Sequence, residues 1–239
     1  MSYLALKIFI CVIFGVLSFY LNILDVSGAI SAVAIGLAIL LARGFGWFFL
    51  LFIFLLGGAF VTRYKQNFKK RRLFERKSRR ASNVIANGII PAFIAISSLY
   101  LKEDLSIPFV SSIAVALSDT MASELGVLSD NAYLITNLKK VSPGTNGAVS
   151  LLGEIVAIAG ASIVSISAYF LLRISYSRVF LCILLGFFGC NIDSFLGATF
   201  QAKGKGTINS SDAILNNSDV NLISISIVAL IAFVITILF

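Results

Sequence analysis

Apolar residues along this chain run in long blocks separated by short polar intervals, with no alternation of period two. Eight blocks can be drawn, at 3–24, 26–42, 47–62, 82–101, 107–125, 148–172, 179–200 and 220–239. Several reach the ~18 to 20 residues that a helix needs to cross a ~30 Å hydrocarbon layer. The pattern predicts an all-α fold, a polytopic membrane helical bundle of about eight transmembrane segments forming one integral membrane domain over 1–239. The fifth and seventh blocks contain Asp119 and Asp193. Polar backbone at membrane depth is tolerated only where protein or a wet cavity surrounds it, so these two segments are candidates for broken or re-entrant helices. The second block carries Gly28 and Gly36, small residues that let neighbouring helices approach closely in lipid.

Composition agrees with the pattern. The chain is 59% hydrophobic and 13% charged, against about 25% charged in an average soluble domain. The first block has only Lys7 as a basic flank and no small-residue cleavage site, so it is read as a retained helix. Cys11, Cys182 and Cys190 fall inside apolar blocks without metal-ligand spacing, and there is no histidine. Disulfides, zinc and histidine acid–base chemistry are not expected.

The net charge of +8 matters less than its placement, which suits membrane lipid and no nucleic acid. Arg63, Lys65, Lys69, Lys70, Arg71, Arg72, Arg76, Lys77, Arg79 and Arg80 crowd the connection between the third and fourth blocks. The excess of cations in cytoplasmic loops then puts that connection in the cytoplasm. With eight spans, the loops holding Lys139, Lys140, Lys203 and Lys205 fall on the same side. Lys7, Arg43, Lys102, Arg173 and Arg178 fall on the other.

Four stretches could carry chemistry. In Ser118-Asp119-Thr120-Met121-Ala122-Ser123-Glu124-Leu125-Gly126, a helix would project Asp119, Ser123 and, less directly, Glu124 about a turn apart. Oxygen ligands in that arrangement suit a hard cation such as Mg²⁺, and a carboxylate inside a membrane is a functional hypothesis by default. Asp193 opens a second acid–hydroxyl–small cluster, and the two aspartates across a pseudo-repeat would suit shared binding of metal and phosphate. Between them, Lys139 and Lys140 lead into Pro143-Gly144-Thr145-Asn146-Gly147, a turn whose glycines let amides approach an anion. Arg79 and Arg80 abut Asn83 and Asn87, which share a helical face. Glu154 is a further carboxylate of open role. The polar stretch from Gln201 through Lys203 and Lys205 to Asn217, Asp219 and Asn221 reads as a connecting loop or a lid.

The stretches 83–88, 119–126, 134–153, 193–203 and 219–222, above all Pro143-Gly144-Thr145-Asn146-Gly147 with Val149, Ser150 and Gly153, resemble a known membrane family. It is the one labelled domain of unknown function ninety-two, which includes transmembrane protein nineteen of animals and the plant phytyl-phosphate kinase of vitamin E synthesis. The resemblance implies a kinase that converts an isoprenyl monophosphate, such as phytyl or geranylgeranyl phosphate, to its diphosphate, with CTP as the expected nucleoside triphosphate donor. Under it, Asp119, Asp193 and Glu124 are the catalytic and Mg²⁺-holding residues. Lys139, Lys140, Gly144, Thr145, Asn146 and Gly147 hold the donor phosphates. Arg79, Arg80, Asn83 and Asn87 hold the acceptor phosphate, its tail lying between helices. The rival expectation is an ion-coupled transporter, because intramembrane acids also mark carriers. A carrier needs access from both sides, whereas these polar clusters gather toward one.

Overall fold

The computed structural model describes residues 3–65, 80–201 and 214–238. Arg79, most of the basic run before it, and Lys203 and Lys205 lie outside these residues. Eight helices are present among them: α1 (Tyr3–Tyr20), α2 (Val26–Arg43), α3 (Phe45–Arg63), α4 (Ala81–Ser97), α5 (Ser106–Gly126), α6 (Leu151–Leu172), α7 (Tyr176–Phe200) and α8 (Asn217–Leu238). Five of them, α2, α3, α6, α7 and α8, are long and apolar enough to cross a membrane. The protein is an integral membrane helical bundle.

Polar side chains set the helix starts. Asp25 caps α2 by accepting from the Gly28 amide at 2.7 Å. Ser150 caps α6 by accepting from the Gly153 amide at 3.1 Å, which satisfies a donor that the first helical turn leaves without an internal partner. At the start of α8, Asn216 Oδ1 accepts from the amides of Ser218 and Asp219, while Asp219 Oδ2 accepts from the Asn216 amide. This reciprocal capping box begins α8 at Asn217. The hydropathy pattern had left Asn217 and Asp219 in the preceding loop.

The core forms around α5, which packs on α3, α4, α6, α7 and α8. Of its 21 residues, 17 are buried, so other helices rather than lipid cover Glu124 and four of its five serines. That cover explains how a helix less apolar than its neighbours can sit in the middle. Phe109 packs on Trp47 of α3 with tilted rings, their centroids 4.0 Å apart. Ser118 donates to the Ala157 carbonyl of α6 at 2.8 Å, at a crossing where Gly160 lies against the backbone of Leu117 and Ser118.

Both α5 and α7 run unbroken, although their acids had raised the expectation of a break. Asp119 and Asp193 each sit two turns before the last residue of their helix, close enough to its end to face a polar cavity, so the backbone need not open.

The connection from α5 to α6 carries a three-stranded antiparallel sheet, β1 (Ala132–Leu134), β2 (Lys140–Val141) and β3 (Ala148–Val149), with β1 in the centre. Tyr133 pairs with Lys140 on one side and Val149 on the other. The sheet folds the glycine turn back over the bundle end where α5 and α7 finish and α6 and α8 begin.

Candidate functional site

A cavity of about 620 Å³ opens at that end, within the usual size range of small-molecule sites. Its lining includes Asp119, Glu124, Gly144, Thr145, Asn146, Gly147, Asp193, Arg80, Asn83 and Asn87. Residues more than a hundred positions apart in sequence thus share one wall. Lys139 and Lys140 lie outside the lining, both exposed on the outer part of the loop. Lys140 Nζ donates to Asn131 Oδ1 at 2.9 Å.

The carboxyl groups of Asp119 and Asp193 line the same cavity from α5 and α7 and interact electrostatically across that interface. Ser224 of α8 donates to Asp193 Oδ2 at 3.0 Å, which fixes one oxygen of the pair. Glu124 is nearly fully buried, and its Oε1 accepts from Thr62 at the end of α3 at 3.2 Å. It lies five residues after Asp119, well round the helix from it, and so borders the cavity from another side. Glu154, in the first turn of α6, also lines the cavity. Asn191, two residues before Asp193 on α7 and so about 200° round the helix from it, donates to Glu154 Oε2 at 3.3 Å.

Across the cavity, α4 and α8 are laced by amides. Ser218 donates to Asn83 Oδ1 at 3.2 Å and Asn221 to Asn87 Oδ1 at 3.3 Å. Asn87 donates back to the Asn83 carbonyl at 2.8 Å. Arg80, the residue before α4, is exposed at the rim. Its charge helps hold the Asp25 carboxyl below the ordinary carboxylate range, chiefly set there by hydrogen bonds from the Gly28 amide and Ser27.

The glycine turn is docked by its shape. Gly147 adopts φ +71°, and a β-carbon there would lie 2.3 to 2.5 Å from the backbone nitrogen, Cα and Cβ of Ala198. Only glycine combines a left-handed backbone with this approach to α7. Thr145 Oγ1 closes the turn by donating to the Ser142 carbonyl at 2.7 Å.

Thr62 and Ser224 are not singled out by the sequence, Thr62 because it ends an apolar block. Asn221 and Ser224 follow Asn217 at helical spacing, a stripe that becomes visible once α8 begins at Asn217. A group of three or more acidic, cysteine or histidine side chains able to hold a metal does not occur among the described residues. Mg²⁺, however, is commonly held by one or two carboxylates, with waters and substrate phosphates completing its shell. The oxygen-only Asp119–Asp193 pair fits that requirement.

Comparison with known proteins follows the same residues. The model of the family described as "Integral membrane protein DUF92" matches residues 9–229. The chain is 36% identical over 203 residues to an uncharacterized membrane protein of Methanocaldococcus jannaschii, covering 84% of this chain and 81% of that one. It is 29% identical over 219 residues to the chloroplastic protein VTE6 of Arabidopsis thaliana, covering 87% of this chain and 64% of VTE6. It is also 30% identical to protein PGR of the same plant, with 84% and 85% covered. No solved structure matches it. A match over nearly the whole helical bundle, including every segment that lines the cavity, makes this chain a member of the DUF92 family of integral membrane proteins.

Proposed function

We propose that this protein is a membrane-embedded kinase transferring phosphate from a nucleoside triphosphate, with CTP the expected donor, to an isoprenyl monophosphate such as phytyl or geranylgeranyl phosphate. The observation that carries the proposal is convergence. A carboxylate pair, a glycine turn and a cation with two asparagines border one cavity at one end of the bundle. The family resemblance supplies the reaction class.

Each part has a task in such a transfer. The acceptor is already an anion, so positioning and charge neutralisation can carry the reaction without a strong general base. One of its phosphate oxygens attacks the terminal phosphorus of the donor. A new P–O bond forms, the bridging bond to the donor's second phosphate breaks, and a nucleoside diphosphate leaves. Asp119 and Asp193 would hold Mg²⁺, which supplies charge neutralisation on the transferring phosphoryl group. Ser224 and Asn191 orient Asp193 and Glu154 from behind, the kind of support that fixes a ligand's geometry. The turn 143–147 borders the donor's side, while Arg80, Asn83 and Asn87 face the acceptor phosphate. The N-termini of α4, α6 and α8 all lie at this end, and their partial positive charge favours bound phosphate.

The cavity end is assigned to the cytoplasm. Arg63, Lys65, Arg80, Lys139 and Lys140 stand there, and the sequence joining α3 to α4 adds the basic run. Nucleotide would then reach the site from its own compartment.

The test is a transfer assay with purified protein, Mg²⁺ and each of CTP, ATP, GTP and UTP, offering phytyl and geranylgeranyl phosphates. Diphosphate should form, and Asp119→Asn or Asp193→Asn should lower turnover by about 10²-fold or more, as loss of a charge-stabilising group does. A wild type that transfers nothing from any nucleotide yet moves solute in liposomes would establish the carrier instead.

A further inference from the structure

A second cleft lies between α1, α2, α3 and α4, and its walls are almost wholly apolar: Phe14, Val33, Phe48, Phe52 and Val84 line it, and Asn83 closes one end. Asn83 also lines the polar cavity. The two spaces therefore share one wall residue, a turn beyond Arg80. From that junction the cleft follows α1 from Ser18 to Cys11, seven residues or about 10 Å of helix. Its polar wall atoms are already engaged: Ser18 donates to the Phe14 carbonyl at 2.7 Å. Phe14 rests on Phe52 with ring centroids 4.3 Å apart.

The helices around it approach closely without filling it. A β-carbon on Gly88 of α4 would lie 2.9 Å from Ile35 of α2, and one on Gly36 would lie 3.1 Å from Phe48 of α3. A narrow void of about 60 Å³ remains between them. Apolar walls of this kind keep water out and lack partner atoms on their open side. A slender hydrocarbon chain would supply those partners. A polar headgroup attached to it would emerge at Asn83, among Arg80, Asn87 and the acids.

We infer that this cleft is the tail-binding site of the lipid substrate, receiving the isoprene units nearest the phosphate and so setting which chain lengths and shapes the enzyme accepts. The inference rests on the kinase reading for the identity of the headgroup. The occupant is a polyisoprenyl monophosphate, and its amphiphilic chemistry matches an apolar cleft that shares the Asn83 wall with a polar, cation-rimmed cavity.

The experiment uses the full chain in nanodiscs with a prenyl monophosphate carrying a diazirine in its second isoprene unit. Crosslinks should map to the cleft walls on α1–α4 and be competed by geranylgeranyl phosphate. Ala32→Phe, which enlarges a half-buried cleft residue, should reduce labelling and raise KM for geranylgeranyl phosphate by tenfold or more, while leaving turnover of isopentenyl phosphate within twofold. Ile30→Phe, on the exposed side of the same helix, should change neither. Val84→Phe repeats the block from α4 should Ala32→Phe misfold. Three outcomes overturn the inference: crosslinks spread over outward positions such as Phe60 and Phe93, unaltered labelling in both blocking variants, or equal competition by phosphatidic acid, which would mean an ordinary acyl chain fills the cleft. A wild type that phosphorylates no acceptor but is labelled in the cleft by the prenyl phosphate keeps the tail site and removes the kinase reading.

Discussion

At the end of the bundle away from the cavity, the connections are short and two arginines are met by an aromatic ring and an acid. Gly44 alone joins α2 to α3. Arg43 lies 4.8 Å over the Trp47 ring, and Arg178 reaches Asp104 at 2.5 Å. At the cavity end, hydroxyls and an amide donate to three acids: Ser224 to Asp193, Thr62 to Glu124 and Asn191 to Glu154. A hydroxyl or amide orients a carboxylate without cancelling its charge. One end therefore closes the bundle over short connections, and the other gathers oriented carboxylates on the wall of a cavity. This division predicts that equivalent insults at the two ends separate stability from activity.

Two left-handed glycines give the largest contrast. Gly147→Ala places a β-carbon within 2.5 Å of three Ala198 atoms, so the turn must lift off α7. A displacement of about 1 Å in a positioning element can cost about 10²-fold in turnover, and that loss is expected here. Gly44 has φ +82° and ψ −166°, with nothing within 4 Å of its notional β-carbon. Gly44→Ala should therefore cost only backbone strain, about 1 to 3 kcal/mol, seen as earlier thermal unfolding with kcat preserved in the molecules that remain folded. Equal kcat in both variants would erase the distinction between the ends.

Why the sequence revealed some parts of this arrangement and concealed others follows from the range of the forces involved. Each apolar block answers to the bilayer residue by residue, so all eight helices were visible, with ends shifted where a cap decides. At α8 the deciding pair was Asn216 and Asp219, a local signal present in the sequence but overridden by its polar surroundings. The sheet at 132–149 gave no signal, because strands of two or three residues carry no periodicity and their pairing depends on the bundle end beneath them. Asp119 and Asp193 stood out because charge is costly in a membrane. Lys139 and Lys140 also stood out, yet only the fold of the loop could place their side chains beyond the cavity lining. Gly147 drew notice as part of a turn. Its contact with Ala198, 51 positions away, lay beyond any local pattern.

The amide lacing between α4 and α8 provides a smaller test within the cavity end. Asn221→Leu removes the donor to Asn87 and the acceptor from Asn217. Hydrogen bonds between membrane helices contribute about 1 kcal/mol each, so unfolding should come a few degrees earlier. Asn87 would lose its backing while Ser218 still holds Asn83, and KM for the acceptor should rise several-fold with kcat nearly unchanged. A fall in kcat with KM constant would instead tie this stripe to the reacting groups.

The smallest effect belongs to the opposite end and is read through pH. Partial burial would raise the Asp104 carboxyl, but the hydrogen bond from the Ser106 amide at 3.1 Å, together with Arg178, outweighs it and holds the group below its ordinary value. A folded pKa lower than the unfolded one means that the charged form favours the fold. The contribution is complete above the unfolded value of about 3.9 and disappears as pH falls through the folded value. Because both side chains are 40% or more exposed, screening limits the pair to at most about 1 kcal/mol. Asp104→Asn should therefore melt slightly below wild type at neutral pH, and the two melting curves should converge as the medium is acidified below about pH 4. Turnover at neutral pH should be the same for both, since this pair lies at the far end of α5 from Asp119. A melting difference that stays constant down through the acid range would mean that packing, not charge, joins α5 to α7 at this end.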